Sequence, residues 1–210
     1  MIFVYLYYNK LTKNDLNTKL SSFPVLIQER INKHKRLNSR LNSLAGYLLL
    51  QQALKEQNLD LQNLQFSVAG KPYLANSEVS FSISHNTNWV GVCLMNKIGK
   101  IGIDIQAFKI FEPIESTFAF FSTVEQQAIL NSKTPQKTLI DYWSKKEALI
   151  KAEGEQMFEV ANYTNTTEAH CQWKGTTFYW TWISSDFDGA IWIASDQARQ
   201  KILQKKVVSL

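Results

Sequence analysis

Two oxygen-bearing side chains lie two residues apart in the apolar segment 101–106 (IGIDIQ). A β-strand places alternate side chains on one face, so Asp104 and Gln106 would lie beside Gly102, roughly 6.5 Å apart along the strand. Carboxylate and amide oxygens at that spacing suit a hard cation such as Mg²⁺. The alternative interpretation is a half-exposed strand with a polar outer face.

A second group lies in the helical segment that ends at Gly154. Trp143, Glu147 and Lys151 are spaced four residues apart, which places them on one face of a helix. A carboxylate and an ammonium one turn apart could serve a metal ion and a phosphate together. The same spacing is also typical of a surface ion pair worth roughly 0.2–0.5 kcal/mol.

Two further segments offer groups for binding. Lys71 lies in a Gly-Lys-Pro triplet, and Ser84 and His85 lie where a predicted strand gives way to a polar loop over residues 85–88. A lone histidine is more often structural than functional. Because the sequence has neither a glycine-rich phosphate loop nor a dinucleotide fingerprint, side chains and a metal ion would have to hold any phosphate.

The composition is that of an ordinary globular protein, with 210 residues of which 45% are hydrophobic and 20% are charged. It excludes a disordered, collagen-like or coiled-coil chain. There are 23 Lys and Arg against 18 Asp and Glu, a net charge of +5. Segment 28–40 concentrates this excess and would attract phosphate on a nucleic acid, nucleotide or lipid, unless it is simply a solvated helix face.

Targeting features point to the cytoplasm. No apolar run approaches the roughly 20 residues that span a bilayer, and the start of the sequence lacks the pattern of a signal peptide. We therefore expect no membrane association. In a reducing compartment Cys93 and Cys171 should be free and buried. The cysteines and histidines lack the spacing of a zinc site.

Hydrophobic periodicity predicts an α+β protein in which a helix followed by a hairpin occurs twice. We interpret this as a weak duplication into two similar halves, residues 1–98 and 99–210, related by a pseudo-two-fold axis with the active site between them. The predicted helices are one from about Pro24, Ser39–Gln57, Thr123–Asn131 and Lys137–Glu153, and the predicted strands are Ile2–Tyr8, Val79–Ser84, Trp89–Met95, Ile101–Gln106, Thr177–Ile183 and Ala190–Ala194.

The order of five segments resembles the 4′-phosphopantetheinyl transferases of the surfactin-synthetase-activating type. These segments are Gly70–Pro72, Phe81–His85, Ile101–Gln106, Phe120–Glu125 and Trp143–Gly154. The resemblance implies a monomeric, Mg²⁺-dependent holo-[acyl-carrier-protein] synthase. Such an enzyme moves the phosphopantetheine arm of coenzyme A onto a serine of an acyl or peptidyl carrier protein and releases adenosine 3′,5′-bisphosphate.

The same resemblance assigns the metal and catalytic residues. Asp104 and Glu147 would be the Mg²⁺ ligands, with Gln106 at a third ligand position where many relatives have Glu. Lys151 would contact the diphosphate and offset charge on the leaving side. Glu147 is the first candidate for the base that takes the serine proton, and Glu125, a supporting acid near the metal, is the second.

The same resemblance assigns coenzyme A binding to four residues, Lys71, Ser84, His85 and Lys151. The nucleophile would lie on the carrier protein, so the chain needs no activated serine or cysteine of its own. Phosphoryl transfer requires mainly positioning and charge neutralisation.

Two positions depart from the family pattern. Asn42 stands where relatives often carry arginine, which leaves Arg40 or the run Arg30–Arg36 to hold the 3′-phosphate of coenzyme A. After Gly154 the chain continues Glu-Gln-Met at 155–157 rather than with the family's Gly-x-Gly. This second departure concerns the conformation of the loop more than the chemistry.

Two other functions compete with transfer. One is a non-catalytic phosphate- or RNA-binding module, suggested by the basic segment and by aromatic residues in strands. The other is a degenerate family member that binds coenzyme A only. Because carrier proteins are typically acidic, the basic charge suits such a transient partner, and we expect no nucleic acid. The sequence leaves open whether the pathway makes fatty acids, polyketides or nonribosomal peptides.

Overall fold

The computed structural model describes residues 1–154, 164–198 and 200–210. Within these ranges helices and strands are mixed as the sequence predicts for an α+β protein. The helices are α1 (Lys13–Lys19), α2 (Val25–Asn32), α3 (Leu37–Lys55), α4 (Thr123–Leu130) and α5 (Pro135–Glu153), with 3₁₀ segments at Leu20–Ser22 and Ile114–Phe120. The strands are β1 (Ile2–Tyr8), β2 (Leu64–Phe66), β3 (Pro72–Leu74), β4 (Ser80–Asn86), β5 (Trp89–Met95), β6 (Ile101–Ala107), β7 (His170–Trp173), β8 (Thr176–Trp182), β9 (Gly189–Ser195) and β10 (Ile202–Val207).

The first sheet has the strand order β10-β1-β5-β4. Strand β5 pairs antiparallel with both β1 and β4. Helix α3 covers one face of this sheet, and its buried Leu44, Leu49 and Leu50 share a core with Val90 and Val92 of β5. Burial of this apolar face, rather than helix propensity, is what stabilises a 19-residue helix in this position.

The second sheet has the order β6-β9-β8-β7, and every neighbouring pair is antiparallel. Helix α5 packs on β6 and β9. It has Pro135 in its first turn, where a missing N–H costs nothing, and it ends at Gly154 in the left-handed conformation. The sequence predicted this helix over Lys137–Glu153, so its end is confirmed and its start lies two residues earlier.

The last strand crosses from one predicted half to the other. Strand β10 pairs in parallel with β1, so residues 99–210 contribute a strand to the first sheet. The sequence analysis missed β10 because four consecutive residues of this edge strand are exposed and two of them, Lys205 and Lys206, are charged. The pseudo-two-fold relation between the halves stays a prediction.

The two sheets meet along β4 and β6, each of which is the last strand of its own sheet. No backbone ladder joins them. Instead, the backbone amides of Ile103 and Ile105 donate to the hydroxyl oxygens of Ser82 and Ser84, both at 3.2 Å in buried surroundings. These bonds satisfy edge groups that burial would otherwise leave unpaired. They also fix the register of β4 against β6, which places Ser84 beside Asp104.

Burial of alternate side chains along β6 agrees with the sequence prediction on one face of the strand. On the other face it differs from the alternative interpretation. Ile101, Ile103 and Ile105 are fully buried in a core shared with β1, β5 and β9. The opposite face is not the half-exposed polar surface that was the alternative interpretation, since Asp104 is only 1% exposed. Helix α5 covers this second face.

The contact between β6 and α5 depends on Gly102. A Cβ atom at this position would lie 2.0 Å from the carbonyl oxygen of Ala148 and 2.5 Å from the backbone nitrogen of Ala152. Both are backbone atoms, so no rotamer change could relieve the overlap. Glycine therefore sets the depth at which α5 lies on the sheet, and with it the position of Lys151.

Two smaller findings complete the fold. Cys93 and Cys171 are free and buried, which confirms the sequence prediction. Within the described ranges, no helix combines the length and hydropathy needed to cross a membrane.

We expect Gly102→Ala to lower the free energy of unfolding by about 3 kcal/mol or more, at or above the usual range for overpacking, because the helix backbone itself must move. Gly91→Ala is the matched control. Its new Cβ would meet only the methyl ends of Ile105, Ile103 and Leu6 side chains. Urea denaturation of both variants tests this, and equal losses of stability would contradict the backbone contact.

Candidate functional site

The site centres on the buried carboxylate of Asp104, where β4, β6 and α5 meet. The Lys151 ammonium lies 2.6 Å from Asp104 Oδ1 and donates to Ser84 Oγ at 2.8 Å. The Ser84 hydroxyl in turn donates to Asp104 Oδ1 at 3.2 Å. The structure therefore brings together three residues that the sequence placed far apart. A buried charge needs such partners, because an uncompensated carboxylate is costly in a low-dielectric interior.

The other oxygen of Asp104 has no partner. Asp104 Oδ2 is buried and accepts no hydrogen bond within the described residues. Unsatisfied buried polar atoms are rare, and a missing ion is one of the recognised explanations. An unpaired carboxylate oxygen is also the ligand that Mg²⁺ prefers.

Glu147 supplies the second negative charge. Burial, followed by the charge of Asp104, raises the pKa of Glu147, while the Lys151 cation opposes this shift. A cation would stabilise the ionised form of Glu147 beside Asp104. The donor set therefore fits a divalent metal held by Asp104 and Glu147. Within the described ranges, no cluster of three or more His, Cys, Asp or Glu residues is present.

A cleft of about 310 Å³ opens beside Lys151. It lies between α2, α3, β4 and the end of α5. Its basic and imidazole groups are Arg30, His34, Lys71, His85 and Lys151. A concave surface lined by cations concentrates anions, so its chemistry suits a ligand with several phosphates.

His85 lies on β4, which continues to Asn86, so the predicted loop over residues 85–88 is reduced to a turn at Thr87 and Asn88. The ring remains open to solvent on one side. Desolvation by the cleft walls, followed by the Lys151 cation, lowers the pKa of His85 to about 4. At neutral pH this side chain is therefore a neutral hydrogen-bonding group rather than a cation.

Lys71 links the β2–β3 hairpin to the catalytic elements. Its ammonium donates to the carbonyl oxygen of Ala152 at 2.5 Å and to that of Ile101 at 3.2 Å. Burial lowers the pKa of Lys71 to about 8. The side chain lines the cleft, but in this structure its charge is directed to the C-terminal end of α5. Because carbonyls there carry partial negative charge, the contact is favourable.

Gln106 has a different partner from Asp104. Its Oε1 accepts a hydrogen bond from Asn86 Nδ2 at 3.0 Å, across the β4–β6 boundary. Both residues line a second cavity, of about 550 Å³, with aromatic walls that include Phe120 and Trp143. Along α5, Trp143 thus faces the second cavity and Lys151 faces the first, with Glu147 one turn from each.

Glu125 lies in a separate network. Its carboxylate is fully buried, forms an ion pair with Lys146 at 2.9 Å, and accepts from Ser122 and Thr166. It also caps α4 through Ser122. No contact in the described part of the chain joins Glu125 to Asp104, Glu147 or Lys151. Its predicted role as a base is untested, and these contacts favour a structural one.

The two departures from the family pattern have different outcomes. Asn42 is buried and committed to structure, since it donates to Thr87 O at 2.6 Å and accepts from Asn9 at 2.8 Å. Arg40 donates to Asn32 and does not line the cleft, whereas Arg30 does. The expectation for the loop at residues 155–157 lies outside the described residues.

Sequence reasoning missed His34, Ser43, Tyr47 and Asn86 as cleft or cavity residues. The basic character of segment 28–40 gave a signal for Arg30 but could not separate it from its neighbours. The packing of α2 against the β2–β3 hairpin is what distinguishes Arg30 from the neighbouring basic residues. In this packing the Arg30 guanidinium lies 4.6 Å from the Phe66 ring centre.

Comparison with known proteins finds similarity to one transferase superfamily. Residues 100–200 match the model of the 4′-phosphopantetheinyl transferase superfamily. The matched range contains Asp104, Glu147 and Lys151, but Ser84 and most of the cleft lie outside it.

Two curated proteins are also similar. The 4′-phosphopantetheinyl transferase HetI of Nostoc sp. is 33% identical over 93 residues, which are 41% of this chain and 39% of that protein. A phosphopantetheinyl transferase of Thraustochytrium sp. is 28% identical over 153 residues, 60% of this chain and 51% of its own. The chain thus spans about half or less of the length of these relatives.

We expect Glu147→Gln to raise the free energy of unfolding at pH 8. A carboxyl group with a raised pKa in the folded protein is disfavoured when ionised, so it costs stability above the ordinary Glu range. Replacement by a neutral amide removes this cost. The gain should shrink as the pH falls through the raised pKa and vanish below the ordinary Glu pKa, where Glu147 is protonated in both the folded and the unfolded protein. Urea denaturation at pH 8 and at pH 5 measures it.

The control for this variant is Glu153→Gln on the same helix. Glu153 forms an ion pair with Lys100 at 2.9 Å, so its loss should not raise stability at pH 8. A Glu147→Gln protein that is less stable than the parent at pH 8 would contradict the expected cost of ionising Glu147 in this buried position beside Asp104.

Proposed function

We propose that this chain is a 4′-phosphopantetheinyl transferase of the surfactin-synthetase-activating type. It would transfer the phosphopantetheine arm of coenzyme A to a serine of an acyl or peptidyl carrier protein and release adenosine 3′,5′-bisphosphate. The observation that carries the proposal is the buried Asp104 carboxylate, which has one oxygen on Lys151 and one without a partner, next to a cationic cleft. The superfamily match over residues 100–200 supports the same reaction.

Donor binding is supported by the charge of the cleft. Coenzyme A carries a diphosphate and a 3′-phosphate, and both Lys151 and Arg30 line the cleft. Lys151 lies beside Asp104, where the reacting diphosphate would bind. The Arg30 guanidinium lies over the Phe66 ring. Since Asn42 is bonded to Thr87 and Asn9, we assign the 3′-phosphate to Arg30.

Asp104 and Glu147 would hold the divalent cation, for which we propose Mg²⁺. When bound, the cation would neutralise charge on the diphosphate. Asp104 suits this role because its Oδ2 is free to ligate while Ser84 and Lys151 hold Oδ1 in place. The Lys151 ammonium would then stabilise the charge that develops on the departing phosphate.

Glu147 is our candidate for the base that takes the serine proton. It lies one helical turn from Lys151 on the same face of α5, so its carboxylate is placed beside the group that would contact the diphosphate. Glu125 is less suited to this step. Its carboxylate is enclosed and already accepts from Ser122, Lys146 and Thr166.

The RNA-binding alternative loses most of its structural basis. Of the tryptophans in strands, Trp173 is 9% exposed and Trp192 donates its indole N–H to Asp141, so both serve packing. Trp182, at 57% exposed, is a single open ring rather than a stacking platform. The predictions of a monomer and of a cytoplasmic location remain predictions.

The direct test is incubation of the protein with coenzyme A, Mg²⁺ and apo carrier proteins of fatty-acid, polyketide and nonribosomal-peptide type, followed by mass spectrometry of each carrier. We expect a phosphopantetheine adduct on at least one carrier. Asp104→Asn and Glu147→Gln should each lower the rate by on the order of 10²–10⁴-fold. Because Glu147→Gln is expected to be more stable than the parent, its inactivity would not reflect unfolding.

Two results would overturn the proposal. If coenzyme A binds but no carrier is modified, the chain is a degenerate coenzyme A-binding protein. Full activity in both Asp104→Asn and Glu147→Gln would remove the catalytic assignment of these residues.

Arg30→Ala should raise the KM for coenzyme A by about tenfold or more, as expected for loss of a charge-assisted contact, and leave kcat nearly unchanged. Lys33→Ala is the matched control, because Lys33 lies in the same basic segment but is exposed and does not line the cleft. An equal effect of the two substitutions would show that the segment acts only through its overall charge.

A further inference from the structure

The amide pair formed by Asn86 and Gln106 lies at the end of the β4–β6 boundary, two residues beyond Ser84 and Asp104. Thr87 Oγ1 donates to Asn86 Oδ1 at 3.0 Å, and Asn86 Nδ2 donates to Gln106 Oε1 at 3.0 Å. These hydrogen bonds form a chain from the β4–β5 turn to the C-terminal end of β6. The Gln106 carbonyl oxygen is therefore held towards β4 by a neutral donor.

This arrangement separates Gln106 from Asp104, although both lie on one face of β6. The single oxygen of Gln106, Oε1, carries no formal charge and is directed to Asn86 Nδ2. Asp104 in contrast keeps a buried carboxylate oxygen, Oδ2, that has no partner among the described residues. Asp104 and Glu147 carry the carboxylates of the site, whereas Gln106 is a neutral amide. The charged donors for a cation are therefore these two carboxylates.

The remaining group of Gln106 is its amide N–H₂. Among the described residues, Nε2 of Gln106 donates to no acceptor, and the half-buried side chain lines the second cavity. The other walls combine aromatic and aliphatic side chains with the polar Lys109, Ser116 and Thr117, and Phe120 packs edge-on against Trp143 at 5.2 Å. A few polar groups in such a cavity can fix the orientation of a ligand.

The second cavity also adjoins the reacting groups. Gln106 is two residues from Asp104 on β6, and Trp143 is one helical turn from Glu147 on α5. The cationic cleft is a different cavity, lined by Lys151, which lies one helical turn beyond Glu147 on α5. If the donor occupies the cleft, the second cavity is left for the acceptor.

We propose that Gln106 is a positioning residue for the acceptor and not a ligand of the metal ion. Its amide N–H₂ donates to a carbonyl or hydroxyl oxygen of the segment that carries the acceptor serine, while Asn86 holds its carbonyl away from the cation. This inference rests on the proposed transferase function and deepens it, because it assigns the acceptor side of the site to a residue at a metal-ligand position.

The first arm of the test measures cation binding without turnover. Mn²⁺ replaces Mg²⁺, and its affinity for the whole chain is followed by electron paramagnetic resonance. Gln106→Met keeps the length of the side chain and removes its oxygen, so the Kd should stay within about twofold of the parent. Asp104→Asn and Glu147→Gln should each weaken binding by about tenfold or more. Gln106→Glu adds a carboxylate and should bind Mn²⁺ more tightly.

The second arm measures the acceptor. Gln106→Met should raise the KM for the carrier protein about tenfold, the loss expected for one buried hydrogen bond, and leave the KM for coenzyme A unchanged. Gln106→Asn, which keeps a shorter amide, should recover part of this loss. Circular dichroism of each variant checks the fold.

Each outcome decides the inference. If Gln106→Met weakens Mn²⁺ binding as much as Asp104→Asn does, Gln106 is a metal ligand and the proposal is wrong. If Mn²⁺ binding is unchanged and the KM for the carrier is unchanged as well, Gln106 has no role at the acceptor. A parent protein that modifies no carrier overturns the transferase function itself, whereas the Mn²⁺ arm still reports whether Gln106 is a ligand.

Discussion

The close packing of α5 on β6 at Gly102 is the constraint on which the rest of the site depends. The carboxylate of Asp104 comes from the strand, and Glu147 and Lys151 come from the helix. Any side chain at position 102 would meet the helix backbone within 2.0–2.5 Å. Glycine thus permits an approach at which a lysine from the helix lies 2.6 Å from an aspartate on the strand. The distance between the charged groups at this contact therefore depends on how closely the helix packs on the strand.

The same packing produces unfavourable electrostatics at the two buried carboxylates. Ser84 and Lys151 stabilise one oxygen of Asp104, while the other has no partner among the described residues. Burial, followed by the charge of Asp104, raises the pKa of Glu147 and so disfavours its ionised form. A fold selected only for stability would avoid such an arrangement. A cation would stabilise the two carboxylates, and the cationic cleft beside them would attract phosphates.

Much of the fold followed from local pattern. The period-2 alternation of isoleucines identified β6, and the spacing of Trp143, Glu147 and Lys151 identified one face of α5. Strand β10 was missed because an exposed edge strand carries no hydrophobic alternation. The burial of Asp104 could not be predicted either, since it depends on α5 covering a strand face that local pattern cannot distinguish from a solvent-facing one.

Some residues of the site could be predicted from the sequence, and others required the tertiary structure. Asp104, Glu147 and Lys151 lie within the range matched by the transferase superfamily, and contacts now join Asp104 to Lys151 and Ser84. The bonds of Asn42 to Thr87 and Asn9 are revealed by no motif, whereas the Ser122 and Glu125 spacing is that of a capping box. The choice of Arg30 from a run of basic residues likewise required the tertiary packing of α2, because adjacent residues of a helix point in different directions.

The central claim is that a divalent cation at Asp104 and Glu147 meets the diphosphate of coenzyme A in the cationic cleft. Phosphorus NMR of bound coenzyme A during titration with Mn²⁺ tests it most directly, since the paramagnetic ion broadens the nearest phosphorus nuclei. We predict that the diphosphate resonances broaden well before the 3′-phosphate resonance and that Asp104→Asn removes the difference. Equal broadening of all three phosphates, or the same pattern in Asp104→Asn, would contradict the account.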